Sequence, residues 1–298
     1  METSPDQQRA ARSASDKAHG GSSRNEVETS PDQQRAARSA SDEAHGGSSR
    51  NEVETSPDQQ HWFEALADHM GSAYLRYSFT KGTEQEITFL IESLALEPGM
   101  RVLDVGCGPG RHALSLAARG ISVHGIDISQ KFIDIARSMA EPMTTFERVD
   151  ARSMHFEAEF DAVICLCQGA FGLMTANGDD SVVLGGMARA LPPGGRLALT
   201  AFSSYFAVKY HDDAEFDANS GVSHERTEIK NESGVAREVS LWTGCYTPRE
   251  LRLLCAEAGL RVDRISSVEP GAYGNDPPTT ETPEFLVLAT REDGWPGG

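Results

Sequence analysis

Past residue 60 the hydrophobic and polar positions alternate between two periods, which predicts alternating helices and strands. Thr83 to Glu86 reads as a capping box, and Ile87, Leu90, Ile91 and Leu94 follow at helical spacing. Pro98-Gly99 ends that unit, and Arg101 to Val105 is a short apolar strand. A helix is expected from Arg111 to Arg119, closed by Gly120, and Ile121 to Ile126 is the next strand. Ser129 then caps a helix with Phe132, Ile133, Ala136 and Met139 on one face. Thr145 to Val149 and Phe160 to Cys167 are strands three and four. A helix over 181–191 stops at Pro192-Pro193-Gly194-Gly195, and Arg196 to Phe202 is strand five. Thr247 to Glu250 is a second capping box with Pro248 at the first helical position. Leu260 to Val268 and Glu284 to Thr290 are the last two strands. This order argues for an α/β fold, a doubly wound and mostly parallel sheet covered on both faces.

Residues 203–246 break the alternation. Val222 to Lys230 and Val235 to Tyr246 are strand-like and joined by a turn at Asn231 to Gly234, a β-hairpin inserted after strand five. It falls at the carboxyl end of the sheet, where open α/β sheets bind ligands. A lid, a substrate wall or a dimer arm would suit it, the last making a homodimer an option.

The first sixty residues are different. Residues 2–27 recur at 28–53 with one change, Lys17 becoming Glu43, and a third copy breaks off after Gln60. Each unit has one valine and no aromatic, too little to bury a core against the entropy of ordering. Residues 1–60 are therefore expected to be a disordered tandem-repeat tail, and 61–298 one domain.

The 298 residues carry 45 acidic and 27 basic side chains, a net charge of −18. That excess disfavours an electrostatic nucleic-acid binder. No apolar run approaches a membrane span, and the start lacks the apolar core of a secretory signal. Five cysteines, an odd number, fit reduced thiols and a cytoplasmic location. Cys165 and Cys167 lie in an apolar run without a second zinc-type pair, so no metal site is expected.

The chemistry centres on Asp104-Val-Gly-Cys-Gly-Pro-Gly110, between a strand and a helix. Gly106, Gly108 and Gly110 permit tight turning and close approach to a ligand. Asp127, at the end of the next strand, is placed to accept both hydroxyls of a ribose. A dinucleotide loop would need a small residue where Arg111 stands, and Asp104 suits a pyrophosphate poorly. Asp104 is better matched to an amino group, held directly or through water. The loop thus suits a ligand with an amino-acid end, a sulfonium and an adenosine.

These residues resemble the class I S-adenosylmethionine-dependent methyltransferases over Tyr74 to Arg291. VLDVGCGPG (102–110), GIDIS (125–129), VDAR (149–152), FDAVICLCQGAFG (160–172) and LPPGGRLALT (191–200) are similar to that family's motifs, in order. The resemblance implies a seven-stranded sheet with the last strand antiparallel, and S-adenosyl-L-methionine as cofactor. It places Asp127 and Ile128 at the ribose, Asp150 and Ala151 beside the adenine, and Asp104, Gly106, Cys107, Gly108 and Gly110 around the rest. FTKGTEQE (79–86) resembles the segment over the methionine end, which brings in Thr80, Gly82 and Thr83. Gln168, just after strand four, is assigned to the donor side or to orienting an acceptor.

The fourth motif ends in Cys167-Gln168-Gly169-Ala170, not the D/N-P-P-Y type that suggests nucleobase amines. Tyr74, Phe171, His211, Trp242 and Tyr246 are candidates for the acceptor pocket, although aromatic residues taken singly are more often core. His211, His224 and Tyr246 are candidate bases, and His112 is expected to pack at a helix start. The main expectation is methyl transfer to a small-molecule acceptor at O, N or C. The alternatives are a protein or RNA methyltransferase, a nicotinamide-dependent reductase, or a protein that binds the adenosyl ligand without transfer.

Overall fold

The structure, a computed structural model, describes residues 62–174, 179–210 and 214–294. Of the chain's two units, Met1–Asn51 lies wholly outside the described residues, and every described element belongs to the second, Glu52–Gly298. The repeat tail over 1–60 and His211 therefore lie outside the described residues.

The helices are α1 (Trp62–Met70), α2 (Thr83–Ser93), α3 (Arg111–Ala117), α4 (Gln130–Ser138), α5 (Asp180–Ala190), α6 (Ser204–Tyr210) and α7 (Pro248–Glu257). The strands are β1 (Arg101–Val105), β2 (Ser122–Asp127), β3 (Thr144–Arg148), β4 (Ala162–Cys165), β5 (Arg196–Ser203), β6 (Glu215–Asp217), β7 (Val222–Lys230), β8 (Ala236–Tyr246), β9 (Leu260–Val268) and β10 (Glu284–Arg291). Strands β3, β2, β1, β4 and β5 lie side by side in parallel, and β10 then β9 continue the sheet antiparallel. This is the expected seven-stranded, doubly wound arrangement with β10 reversed.

Strand β4 is buried along its whole length, because helices cover both faces of the sheet. On one face Val183, Leu184, Met187, Leu251 and Cys255 of α5 and α7 pack on Leu103, Val163 and Leu199. On the other, Ile87 and Leu90 of α2 join Ala113 and Leu116 of α3 and Ile133 of α4 over Val102 and Ile164. Asp104 shares the α2–α3 face with Val102 by strand alternation, as Glu284 does with Leu286.

The insert is larger than a hairpin. Strand β6 pairs with β7, β7 pairs with β8, and the end of β8 runs parallel to the end of β5 at Phe202↔Cys245 and Ser203↔Tyr246. It therefore extends the sheet at its carboxyl edge. Ile229 of β7 meets Leu66, Ala67 and Met70 of α1 and Phe132 of α4 in a small separate core.

Two local expectations need correction. Thr83 does not cap α2; Gly82 occupies the N-cap without a side-chain bond, and the Thr83 hydroxyl donates to Thr80 O at 2.8 Å. Glu86 is drawn away from the helix start by Arg111 and His112 of α3. Met139 leaves the apolar face of α4 and is exposed, because the helix ends at Ser138. The box at Thr247 forms as expected, with Thr247 and Glu250 exchanging both bonds. Such a cap stabilises by about 1 kcal/mol.

Candidate functional site

The loop after β1 turns through three glycines in the left-handed region, Gly106 at φ +72°, Gly108 at +54° and Gly110 at +86°. Their surroundings differ. A Cβ on Gly106 would lie 2.0 Å from the carbonyl carbon of Gly169, and one on Gly110 would lie 2.9 Å from the Phe146 ring. One on Gly108 would meet only Tyr74, at 3.9 Å. The outer two glycines thus admit the protein's own chain, and the middle one opens outward.

Asp127 closes the loop from β2. Its Oδ2 accepts from Gly108 N at 2.9 Å and its Oδ1 from Ser129 N at 2.8 Å, and burial pushes its carboxyl up to about 6. Each oxygen keeps a second lone pair for a hydroxyl donor. Asp104 is 1% exposed, and its Oδ2 has no hydrogen-bond partner. Burial pushes Asp104 up to about 7, with Arg111 opposing the rise. An orphaned buried carboxylate oxygen is stabilised by any cation brought to it. The Cys107 side chain turns inward to the core beneath Gly125, so only its backbone serves the loop.

Beside the loop lies a partly open cavity. Gly106, Asp127, Ile128, Asp150 and Ala151 of the expected set line it, together with Trp62, Phe63, Val149, Arg152, Leu173 and Asp179. Asp150 caps the short turn Ala151–Ser153 by accepting from Arg152 N at 3.0 Å, and its Oδ2 pairs with Arg152 Nη2 at 2.7 Å. Arg152 also reaches Asp179 at 3.1 Å. Trp62 donates from Nε1 to Met174 O at 2.9 Å and meets Trp242 edge-on at 5.7 Å. Sequence reasoning missed Trp62 and Phe63; their only signal was the first aromatic pair after the repeat.

The methionine-end candidates are engaged with other parts of the protein. Thr80 donates to Tyr77 O at 2.8 Å, inside its own turn, and Gly82 is pressed against the Gly271 backbone. Thr83 accepts from Arg111 Nη1 at 2.7 Å. Glu86 is wholly buried; its Oε2 takes Arg111 Nη1 at 2.7 Å and His112 Nε2 at 2.8 Å, and its Oε1 takes Gly271 N at 2.8 Å. These partners overcome the cost of burial and hold the Glu86 carboxyl down at about 2. Gln168 Nε2 donates to Glu284 Oε1 at 3.0 Å.

Of the acceptor-pocket set, Tyr74 stands beside Gly108, its ring 5.0 Å from that of Phe132. The other described members are packing residues. Phe171 is fully buried and stacked 4.8 Å from Tyr246, whose hydroxyl donates to Asp180 Oδ2 at 3.0 Å. Trp242 lies behind Trp62, stacked on His224 at 4.7 Å. Phe171 and Tyr246 are thus bound into packing and hydrogen bonds, and the His224 ring is held by its stack on Trp242. Among the described residues no cluster of His, Cys, Asp or Glu is arranged to hold a metal, and no helix is long and apolar enough to cross a membrane.

Residues 102–195 match the family model described as "Methyltransferase domain". Residues 102–195 form a methyltransferase domain. The CcbJ methyltransferase from Streptomyces caelestis superposes with a TM-score of 0.61 at 17% identity, covering 81% of this chain and 100% of that one, a likeness of fold. Cypemycin N-terminal methyltransferase from Streptomyces sp is 26% identical over 65% of this chain and 84% of its own. Ubiquinone biosynthesis O-methyltransferase from Dechloromonas aromatica is 36% identical over 35% of this chain and 45% of its own. The chain spans about half the length of several curated relatives it matches. The methyltransferase match covers β1 to the turn before β5, so the insert, β9 and β10 lie outside it.

Proposed function

We propose that the chain transfers a methyl group from S-adenosylmethionine to a small-molecule acceptor. The observation that carries this reading is the pairing of two receptors across one glycine loop. The orphaned Asp104 oxygen suits an ammonium on one side, and the cavity at Asp127, Ile128, Asp150 and Ala151 suits an adenosine on the other. When bound, the donor presents a methyl group on a sulfonium, and a nucleophile in line with that bond displaces a neutral thioether. The residues around the loop hold and orient: Asp127 offers its free lone pairs to the ribose, and the Gly108 face leaves room for the chain between adenosine and amino acid. Trp62 and Phe63 wall the adenosine cavity and keep water from it. Positioning of this kind supplies much of the acceleration in a displacement at carbon.

Small-molecule acceptors are favoured by the net charge of −18 and by relatives such as the ubiquinone biosynthesis enzyme. A peptide amine is the second reading, favoured by the cypemycin relative, which spans more of this chain. Calorimetric titration of the full chain with S-adenosylmethionine, S-adenosylhomocysteine and NADH tests the donor. Adenosyl binding that weakens at least about tenfold in Asp127→Asn, without NADH binding, is expected. NADH binding alone defeats the proposal.

A further inference from the structure

Glu284 opens β10, whose next five residues, Phe285 to Ala289, are all apolar and buried. It is itself 4% exposed. Gln168 Nε2 satisfies its Oε1, and its Oε2 is buried with no partner. Packing alone would be better served by an apolar side chain, since an unpaired buried carboxylate oxygen destabilises the fold.

Its place is the ligand edge of the sheet. Glu284 pairs with Phe202 at the carboxyl end of β5 and neighbours Cys167, just past β4. The stretch over it is strained: Cys167 and Gln168, neither a glycine, both take left-handed backbone, at φ +52° and +51°. Such outliers persist where the surroundings enforce them and gather at functional sites. Here Cys167 N donates to Thr200 Oγ1 at 2.7 Å, and Arg111 Nη2 meets Cys167 Sγ at 2.9 Å. Residues Cys167 to Ala170 are themselves half-buried.

The charged groups around Glu284 leave it unmatched. Glu86 faces it from α2, Arg111 from α3, Cys167 from the stretch after β4, and Tyr273 and Glu269 from the connection after β9. Arg111 is already engaged by Glu86, Thr83 and Cys167. The Tyr273 hydroxyl is buried too, and lies against the Cys167 thiol. Burial, only partly offset by Gln168, pushes the Glu284 carboxyl up to about 7.

We infer that Glu284, held by Gln168, accepts a hydrogen bond from the acceptor's nucleophilic N–H or O–H and takes that proton as the methyl group arrives. The inference rests on the methyltransferase reading above. The acceptor's lone pair forms the bond to the methyl carbon, the electron pair of the breaking carbon–sulfur bond stays on sulfur, and the acceptor's proton passes to Glu284 Oε2 and on to solvent. The acceptor is therefore an amine or a hydroxyl compound. A carboxylate or phosphate acceptor would set a second negative charge beside an unpaired one and bring no proton.

The test uses the full chain, Glu284→Gln and Gln168→Ala, with benzylamine and phenol as probes. S-adenosylhomocysteine binding comes first: its absence in the wild type defeats the methyltransferase reading, and the inference falls with it. With that ligand bound, infrared difference spectra should show a carboxyl band titrating between about pH 6 and 8, missing in Glu284→Gln and shifted by at least one probe. A band that neither titrates there nor responds to either probe overturns the inference while donor binding stands. Where either probe, or an alkyl amine or phenol from a wider panel, is methylated, Glu284→Gln should lose roughly 100-fold in kcat and the acidic limb of the pH profile. Donor affinity should be unchanged. Turnover by Glu284→Gln within about threefold of wild type, with the acidic limb retained, also overturns it.

Discussion

Gly106 and Gly169 meet backbone to backbone, so closely that a Cβ on Gly106 would lie 2.0 Å from the Gly169 carbonyl carbon. The loop after β1 and the stretch after β4 are thereby fixed against each other. One carries the donor-side residues, and the other carries Cys167 and Gln168. Gly108, in the same loop, has no such neighbour, so loop geometry and ligand space are separate demands on neighbouring glycines.

Substitution should therefore separate the two glycines. Gly106→Ala forces the two backbones apart and is expected to lower the melting temperature strongly, with donor binding lost. Gly108→Ala carries mainly the left-handed backbone penalty, about 1–2 kcal/mol. It should fold, yet bind S-adenosylhomocysteine at least about tenfold more weakly, because its methyl group occupies the open face. Thermal melts beside calorimetry check both; equal melting losses in the two variants would contradict the assignment.

Asp104 should make the ligand-free protein less stable as pH rises. Its folded value of about 7 lies above the ordinary value of 3.8, so between those values the folded state holds a proton that the unfolded state has released. Stability from this group is then full below the unfolded value and is lost as pH climbs through the folded one. Asp104→Asn should melt at a higher temperature than wild type at pH 8 and show no such advantage near pH 4. It should also lose donor affinity, since the ammonium loses its counter-charge. A paired melting series across pH, with and without S-adenosylhomocysteine, reads both effects; a wild type no less stable than the variant at pH 8 would refute the first.

The sheet and the donor loop were legible because they rest on local signals. Glycines, caps and apolar runs declare themselves within a few residues, as at Asp104 to Gly110 and at Thr247 to Glu250. What sequence could not supply was long-range pairing. Thr83 to Glu86 has the capping-box pattern, but Arg111, His112 and the Gly271 amide outcompete the helix start for Glu86. Phe171 and Tyr246 read as pocket residues by location after strand four and in the insert, and they stack on each other in the core. Glu284 was passed over as the polar start of an apolar strand. A lone acid at the head of EFLVLAT, on a strand expected to be buried, was the available clue.

His112 supplies the last expectation, with the opposite sign to Asp104. Burial, only partly countered by its bond to Glu86, lowers His112 to about 4 from the ordinary value of 6.5. Between those values the unfolded chain takes up a proton that the folded protein refuses. The neutral ring is thus an advantage present above the unfolded value and lost as pH falls through the folded one. His112→Gln keeps a donor for Glu86 without a titrating ring. It should flatten the decline in stability between about pH 6.5 and 4, at some cost in packing at neutral pH. Denaturant unfolding of wild type and variant at several pH values in that window measures it, and parallel declines in the two proteins would show that the ring is not the titrating group. Glu86→Gln is the complementary variant. It leaves Arg111 and His112 without their shared carboxylate in a buried site, and removing one partner of such a pair costs about 3–5 kcal/mol. Its loss should be seen at neutral pH, whereas that of His112→Gln should be smallest relative to wild type in acid.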